Sequence, residues 1–494
     1  MREHYLDKLK DHGDHGRPKK GILKSPINQL GNITHYSWMK ECFPDFIWIA
    51  LIIDYYGRRP AFTILSFIFK DFNDLSFELK SLQLSYILSL DDEKQGEFYE
   101  MLSQHIDIEV LNPLTILFNN NHGIFFEYFF KDGVTVEEKL EILENITDNY
   151  GHNKSDGATD VQYVILTFYI IFRQIIHATK NIKPAFEMLY YYQKTNHEEW
   201  EMRIYRPTVR SMFGSVQYMI YEHNSEFIKS FWKKLLEIGD CRLKYGMYEN
   251  EYSIDEAFIE DIKVEFQKLI IDNMHSELED SKFNVMMGSS VYALKILNEL
   301  VECNLRDKVM GRLSLRIIIE IFIMLKYINK KADEQPDLWE KYQEYGIGKY
   351  KLILIKVREI DEFENSHLNP GLLDILVNEQ IDEMFQDVDF RNFESKTNFR
   401  DKAIEVDEKE LFDVYYDYES SYAHGLWGAV RESSMLKCVN PLHLGHNVPD
   451  VHLKKNLADV LPDAVRVFKK LLNFIDENYP LSEEFLSKYE VKNE

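Results

Sequence analysis

The chain has 494 residues, and 58 Lys and Arg stand against 83 Asp and Glu, giving a formal charge of −25. That balance argues against a protein that coats nucleic acid or lies on anionic membranes, since both need clustered Lys and Arg. Apolar residues at 45% and charged residues at 29% fit a folded chain rather than an acidic disordered one.

At about 150 residues per domain, this length predicts two to four folding units. With only 21 Gly and 13 Pro, breakers are scarce, and long helices are expected. The expected fold class is all-α, with multiple helices in two regions and no substantial sheet. The expected division is a polar leader over 1–36, an N-terminal helical domain over 37–239, a charged connection over 240–285 and a C-terminal helical domain over 286–494.

Residues 1–36 mix His12, His15, Arg17 and Lys19 with Asp7, Asp11 and Asp14, as a flexible leader would. From Trp38, apolar residues recur at helical spacing through Tyr56, and Gly57 is a stop signal. Helical patterns continue near 60–72, 93–118 and 134–149. The loop Asn149–Gly157 follows, and Thr159 or Asp160 is the expected cap of an apolar helix running to about Lys180. Arg173 and His177 would share a face of that helix, and Arg206 and Arg210 lie farther on; ion pairing is the simple reading of these charges.

Lys183-Pro184 and Arg206-Pro207 read as breaks. Helices are expected near 208–221 and 225–238, with Gly239 ending the second. A helix near 254–275 is assigned to the connection. Beyond it, helices are expected near 289–303, 309–331, 370–387, 408–425 and 451–477. Asn369-Pro370 supplies a cap and a first-turn proline for the third of these. No alternating strand run, fixed-period repeat, secretory leader or membrane span is expected. The four cysteines, Cys42, Cys241, Cys303 and Cys438, are too scattered for a disulfide framework, and a cytoplasmic location is the simple expectation.

Three segments could carry chemistry. Within the largely apolar 309–331 run, Arg316 and Glu320 share a helix face, and burying two charges costs several kcal/mol each unless they pair or face a cleft. In the second, Asp413, Asp417, Ser420 or Ser421, and His424 align at three- and four-residue steps, and Gly425 ends the helix. The third runs from Cys438 through Asn440-Pro441-Leu442-His443 to His446, Asp450 and His452. One thiol and three imidazoles could hold zinc, yet the spacing matches no common zinc pattern. No metal or cofactor is therefore expected, and the loop is expected to pack back over the helix ending at His424.

Arg316-Ile317-Ile318-Ile319-Glu320 with Leu325-Lys326-Tyr327, then Ser420 to Gly425, then Asn440-Pro441-Leu442-His443 resemble the domain-of-unknown-function 5677 family, uncharacterised and mainly bacterial. The resemblance covers about 140 residues of the C-terminal region. It implies an all-helical fold and no established activity.

The candidate site is accordingly Arg316, Glu320, Asp417, Ser421 and His424. The expected function is a helical scaffold or sensor that binds a protein or small-molecule partner, of a kind serving bacterial defence or stress response. The alternative is a metal-independent ribonuclease similar to HEPN-type helical nucleases. His424 would then be the acid or base, Asp417 would orient it, and Arg316, held by Glu320, would stabilise charge. Those nucleases carry an arginine shortly before the histidine. Here Tyr418, Glu419, Ser420 and Ser421 fill those positions, so packing would have to supply Arg316. RNA is the partner under that alternative, and a homo-oligomer fits either reading.

Overall fold

The computed structural model describes residues 36–118, 123–172, 183–245, 252–255, 257–273, 280–360, 366–379 and 398–493. Among the described residues the chain is all-α apart from a three-stranded sheet of Leu243–Lys244, Met435–Cys438 and Asn447–Pro449, with Met435–Cys438 in the middle. It forms two compact units. One takes 1–243 and 437–446, the other 244–436 and 447–494. The expected leader, the Arg173/His177 pair and the far end of the expected 370–387 helix lie largely or wholly outside the described residues.

The first unit is built around the Phe43–Tyr56 helix, buried from Phe43 through Ile53. A helix buried on all sides needs an answer for its polar residues. Asp45 accepts from the Ser85 amide at 2.8 Å and from Gln83 Nε2 at 3.2 Å. Burial still pushes the Asp45 carboxyl above its ordinary pKa. Gly57, at φ 79°, ends the helix as expected.

The Val136–Tyr150 helix opens on a capping box of Thr135 and Glu138. Thr159 and Asp160 are not the cap of the next helix. Ser155 caps Asp156–Thr167 by accepting from the Ala158 amide at 3.0 Å, so the helix starts one turn earlier. That shift buries Asp160, which accepts from Arg58 Nε at 2.8 Å and Tyr192 OH at 2.6 Å and meets His197 Nε2 at 2.9 Å.

Arg206-Pro207 is not a break either. Pro207 sits inside the Met202–Ile220 helix, just past its first turn, and the helix continues through it without the N–H that proline lacks. Arg206 pairs with Asp156, and Arg210 donates to Thr159 Oγ1 at 2.7 Å, so both arginines bind the start of the neighbouring helix.

The second unit centres on the Val309–Ala332 helix, which packs against the Ser281–Glu302, Leu461–Asn478 and Asp417–Ala423 helices. Gly311 lets its first turn approach the chain closely, since a Cβ there would lie 2.2 Å from the Leu305 carbonyl oxygen. Asn369 caps Pro370–Val377 as expected, accepting from the Leu372 amide at 3.1 Å. The 408–425 pattern resolves into a π-turn, Leu411–Tyr416, followed by Asp417–Ala423. The last long helix begins at Leu461 rather than near 451, with Pro462 in its first turn. Among the described residues, no helix is long and apolar enough to cross a membrane.

Candidate functional site

Arg316 lies part-buried on the Val309–Ala332 helix and reaches the Asp417–Ala423 segment. Its Nε donates to Ser420 Oγ at 3.1 Å, and one terminal nitrogen donates to Tyr416 OH at 2.7 Å. The other stands 3.5 Å from Glu320 Oε2, and the guanidinium carbon sits 4.8 Å from the Tyr416 ring centroid. The expected Arg316–Glu320 pairing is therefore formed, with three guanidinium nitrogens occupied by the arginine's own neighbours.

The remaining candidates stand apart from it. Ser421 turns back to donate to the Tyr418 carbonyl at 2.6 Å. Asp417 and His424 are exposed, and neither side chain makes a hydrogen bond among the described residues. They are seven residues apart, about 10 Å along a helix, so Asp417 does not orient the imidazole. Asp413 faces elsewhere and is held by Arg400 at 2.7 and 3.1 Å.

One turn before Arg316 lies a group that the sequence reading did not single out. Arg312 and Glu419 are both buried, with side chains 6% and 2% exposed, and stand 3.7 Å apart. A terminal nitrogen of Arg312 donates to the Ala458 carbonyl at 2.9 Å, while Arg312 Nε and Glu419 Oε2 have no partner. Burial raises the Glu419 carboxyl to about 7, Arg312 opposes the rise, and Asp463 and Glu432 add to it. Asp463 is also raised, chiefly by burial. A carboxyl titrating near neutrality beside an incompletely bonded arginine has the electrostatic character of a functional site, though structural ion pairs share it. The available signal was spacing: Arg312 precedes Arg316 by one helical turn.

Beyond this cluster the chain turns at Gly425, φ 59°, and enters the Trp427–Ser434 helix. Leu426 and Trp427 are 55% and 66% exposed. The 450–455 turn packs beside the end of that helix, where the Asp450 amide donates to the Ser434 carbonyl at 2.9 Å and Lys455 Nζ to the Met435 carbonyl at 2.7 Å. This turn exposes Val451 and Leu453, and Leu453 sits in the left-handed region at φ 52°. Arg431, His452 and Lys454 are also exposed.

The loop expected over the helix ending at His424 belongs to the first unit, where Pro441–His443 packs against the Val136–Tyr150 and Ser225–Ile238 helices. Asn440 Nδ2 donates to Glu144 Oε1 and to the Asp240 carbonyl, each at 3.0 Å, because a buried side-chain amide needs fixed partners. The following turn brings Cys438, His443 and His446 together with Cys241, their ligand atoms all lying within 4.8 Å of one another. His452 is exposed and outside this group. Burial, and then His446, hold His443 below its ordinary pKa, favouring the neutral imidazole. Local desolvation, then the neighbouring Cys438 thiol, raise Cys241.

No curated protein and no solved structure matches this chain. Residues 297–438, which hold Arg312, Arg316, Glu320 and Glu419, match the model of the Family of unknown function (DUF5677), and the C-terminal region thus resembles that family as its motifs implied.

Proposed function

We propose that the protein is a helical scaffold or sensor whose second unit docks a protein partner on the exposed edge that Leu426 and Trp427 form at the start of the Trp427–Ser434 helix. The observation that carries this reading is the exposure of Leu426 and Trp427, 55% and 66%, at the helix start. Two adjacent large apolar side chains left in water favour an interaction surface, and tryptophan is prominent among binding hot spots. Arg431, exposed four residues after Trp427 on the same helix, supplies a local cationic rim in a chain of net charge −25. That rim selects a partner segment that is apolar and carries Asp or Glu.

A photo-crosslinking residue at position 427, with one at exposed Tyr218 of the first unit as control, tests the proposal in cells of the source organism. The expected result is a discrete protein crosslinked from 427 and not from 218, whose purified form then binds at least about tenfold more weakly to Trp427→Ala. Crosslinks from 427 to a second copy of the chain would make the edge a homo-oligomer interface. Equal binding by wild type and Trp427→Ala would remove this edge as the docking site.

The second reading, a metal-independent ribonuclease, is supported by one contact. Arg316 binds Ser420, and the His424 amide donates to the Ser420 carbonyl at 3.1 Å, so the serine that Arg316 binds stands one helical turn before His424. The occupied donors of Arg316 and the missing partner for His424 make it the weaker of the two. RNA cleavage that disappears in His424→Ala would reverse that order.

A further inference from the structure

We propose that Cys241, Cys438, His443 and His446 form a closed, structural zinc site in the first unit. Three of the donor separations already match a zinc site, and all four donors lie within 4.8 Å of one another. Cys241 Sγ lies 3.5 Å from His443 Nδ1 and 3.3 Å from His446 Nε2, and Cys438 Sγ lies 3.4 Å from His443 Nδ1. A tetrahedral zinc with its usual Zn–S and Zn–N bonds places sulfur and nitrogen donors about 3.5 Å apart and two sulfurs about 3.8 Å apart. Two thiolates and two imidazoles suit zinc over harder cations, and four protein donors leave no open position for a substrate.

The surrounding backbone holds this arrangement. Asn440 caps the short turn by accepting from the Leu442 amide at 2.9 Å. Leu444 and Gly445 follow in the left-handed region, at φ 52° and 61°, reversing the chain within two residues. The Cys438 amide then donates to the His446 carbonyl at 2.9 Å, which closes a knuckle carrying three donors. The fourth donor comes from a segment 197 positions earlier. The Val439 amide donates to the Arg242 carbonyl at 2.8 Å, which fixes Cys241 beside the knuckle. Arg242 is itself paired with Glu144 at 2.7 Å, and Glu144 also receives Asn440. Supporting contacts of this kind orient metal ligands.

On binding, zinc displaces the two thiol protons and is held by Nδ1 of His443 and Nε2 of His446. It joins the two strand segments at which the chain leaves the first unit and returns to it. Both cysteines are free thiols, so a reducing environment leaves them available.

The test is metal analysis of the full chain purified under reducing conditions without chelator. A cobalt(II) titration of the chelator-treated protein follows. The expected result is about one zinc per chain, and a cobalt spectrum with tetrahedral ligand-field bands and thiolate charge transfer. Cys241→Ser and His446→Ala should lose the zinc, while His452→Ala should keep it. Hydrogen exchange across 437–446 is expected to rise on chelation in wild type and in His452→Ala. Because the wild-type titration needs no variant, a misfolded Cys241→Ser cannot shelter the proposal. Wild type with no bound zinc and no tetrahedral cobalt spectrum would overturn it, as would a Cys241–Cys438 disulfide in the reduced preparation or full zinc retention by Cys241→Ser.

Discussion

Asp160→Ala is expected to destabilise the first unit by about 3–5 kcal/mol, the range found when one partner of a buried ion pair is removed. The Asp160 side chain is 4% exposed and that of Arg58 14%, so little water reaches the charge left behind. Arg58 would keep its bonds to the Thr195 and Tyr192 carbonyls, both at 2.7 Å, but these carry no formal charge. The fully buried Tyr192 hydroxyl would also lose its acceptor. Asp160→Asn retains an acceptor and should cost less. Hydrogen exchange in the Asp156–Thr167 helix, measured across a urea series, reports this unit without assuming that both unfold together. Matching exchange in wild type and Asp160→Ala would contradict the assignment of Asp160 as the centre of this cluster.

The second large effect is on pH dependence. The folded state raises the Glu419 carboxyl from an ordinary 4.5 to about 7. Between those values the native state binds a proton that the unfolded chain has lost, so this group's contribution to stability falls as pH rises. The loss begins near pH 4.5 and is complete above about 7, and it amounts to about 3 kcal/mol. Glu419→Gln has no proton to lose. It should match wild type at pH 5 and exceed it by about 2 kcal/mol at pH 8, as read from urea midpoints of the second unit. A variant less stable than wild type at pH 8 would mean that the Arg312–Glu419 ion pair repays its desolvation, and would place the Glu419 pKa much lower.

The helices of this protein were legible because their signals are local. Gly57, Gly239 and Asn369 act where sequence chemistry places them, and the 309–331 pattern matches the Val309–Ala332 helix. The Arg316–Glu320 pair followed from spacing on that single helix. The face of the next segment did not follow from spacing, because counting in steps of three and four from Asp413 assumes an unbroken α-helix. The π-turn at Leu411–Tyr416 has a wider repeat and alters the phase before Asp417. Beyond it, Asp417–Ala423 keeps α-helical spacing, but Glu419 and Tyr422 face inward and Asp417 and His424 face water, a choice of face that spacing alone does not make. Cys241 escaped notice for another reason. Its partners lie on a turn brought back by the fold from almost 200 positions away, and no local spacing rule spans that distance.

The central question is whether the second unit binds or cuts, and incubation of the purified protein with total RNA, wild type beside His424→Ala, decides it. Circular dichroism confirms the fold of both proteins. The exposed His424 without an orienting carboxylate, and an Arg316 bonded to its own neighbours, lead to the expectation that the two leave RNA equally intact. RNA cut by wild type and spared by a folded His424→Ala would contradict the scaffold account and make Arg316 the next residue to replace.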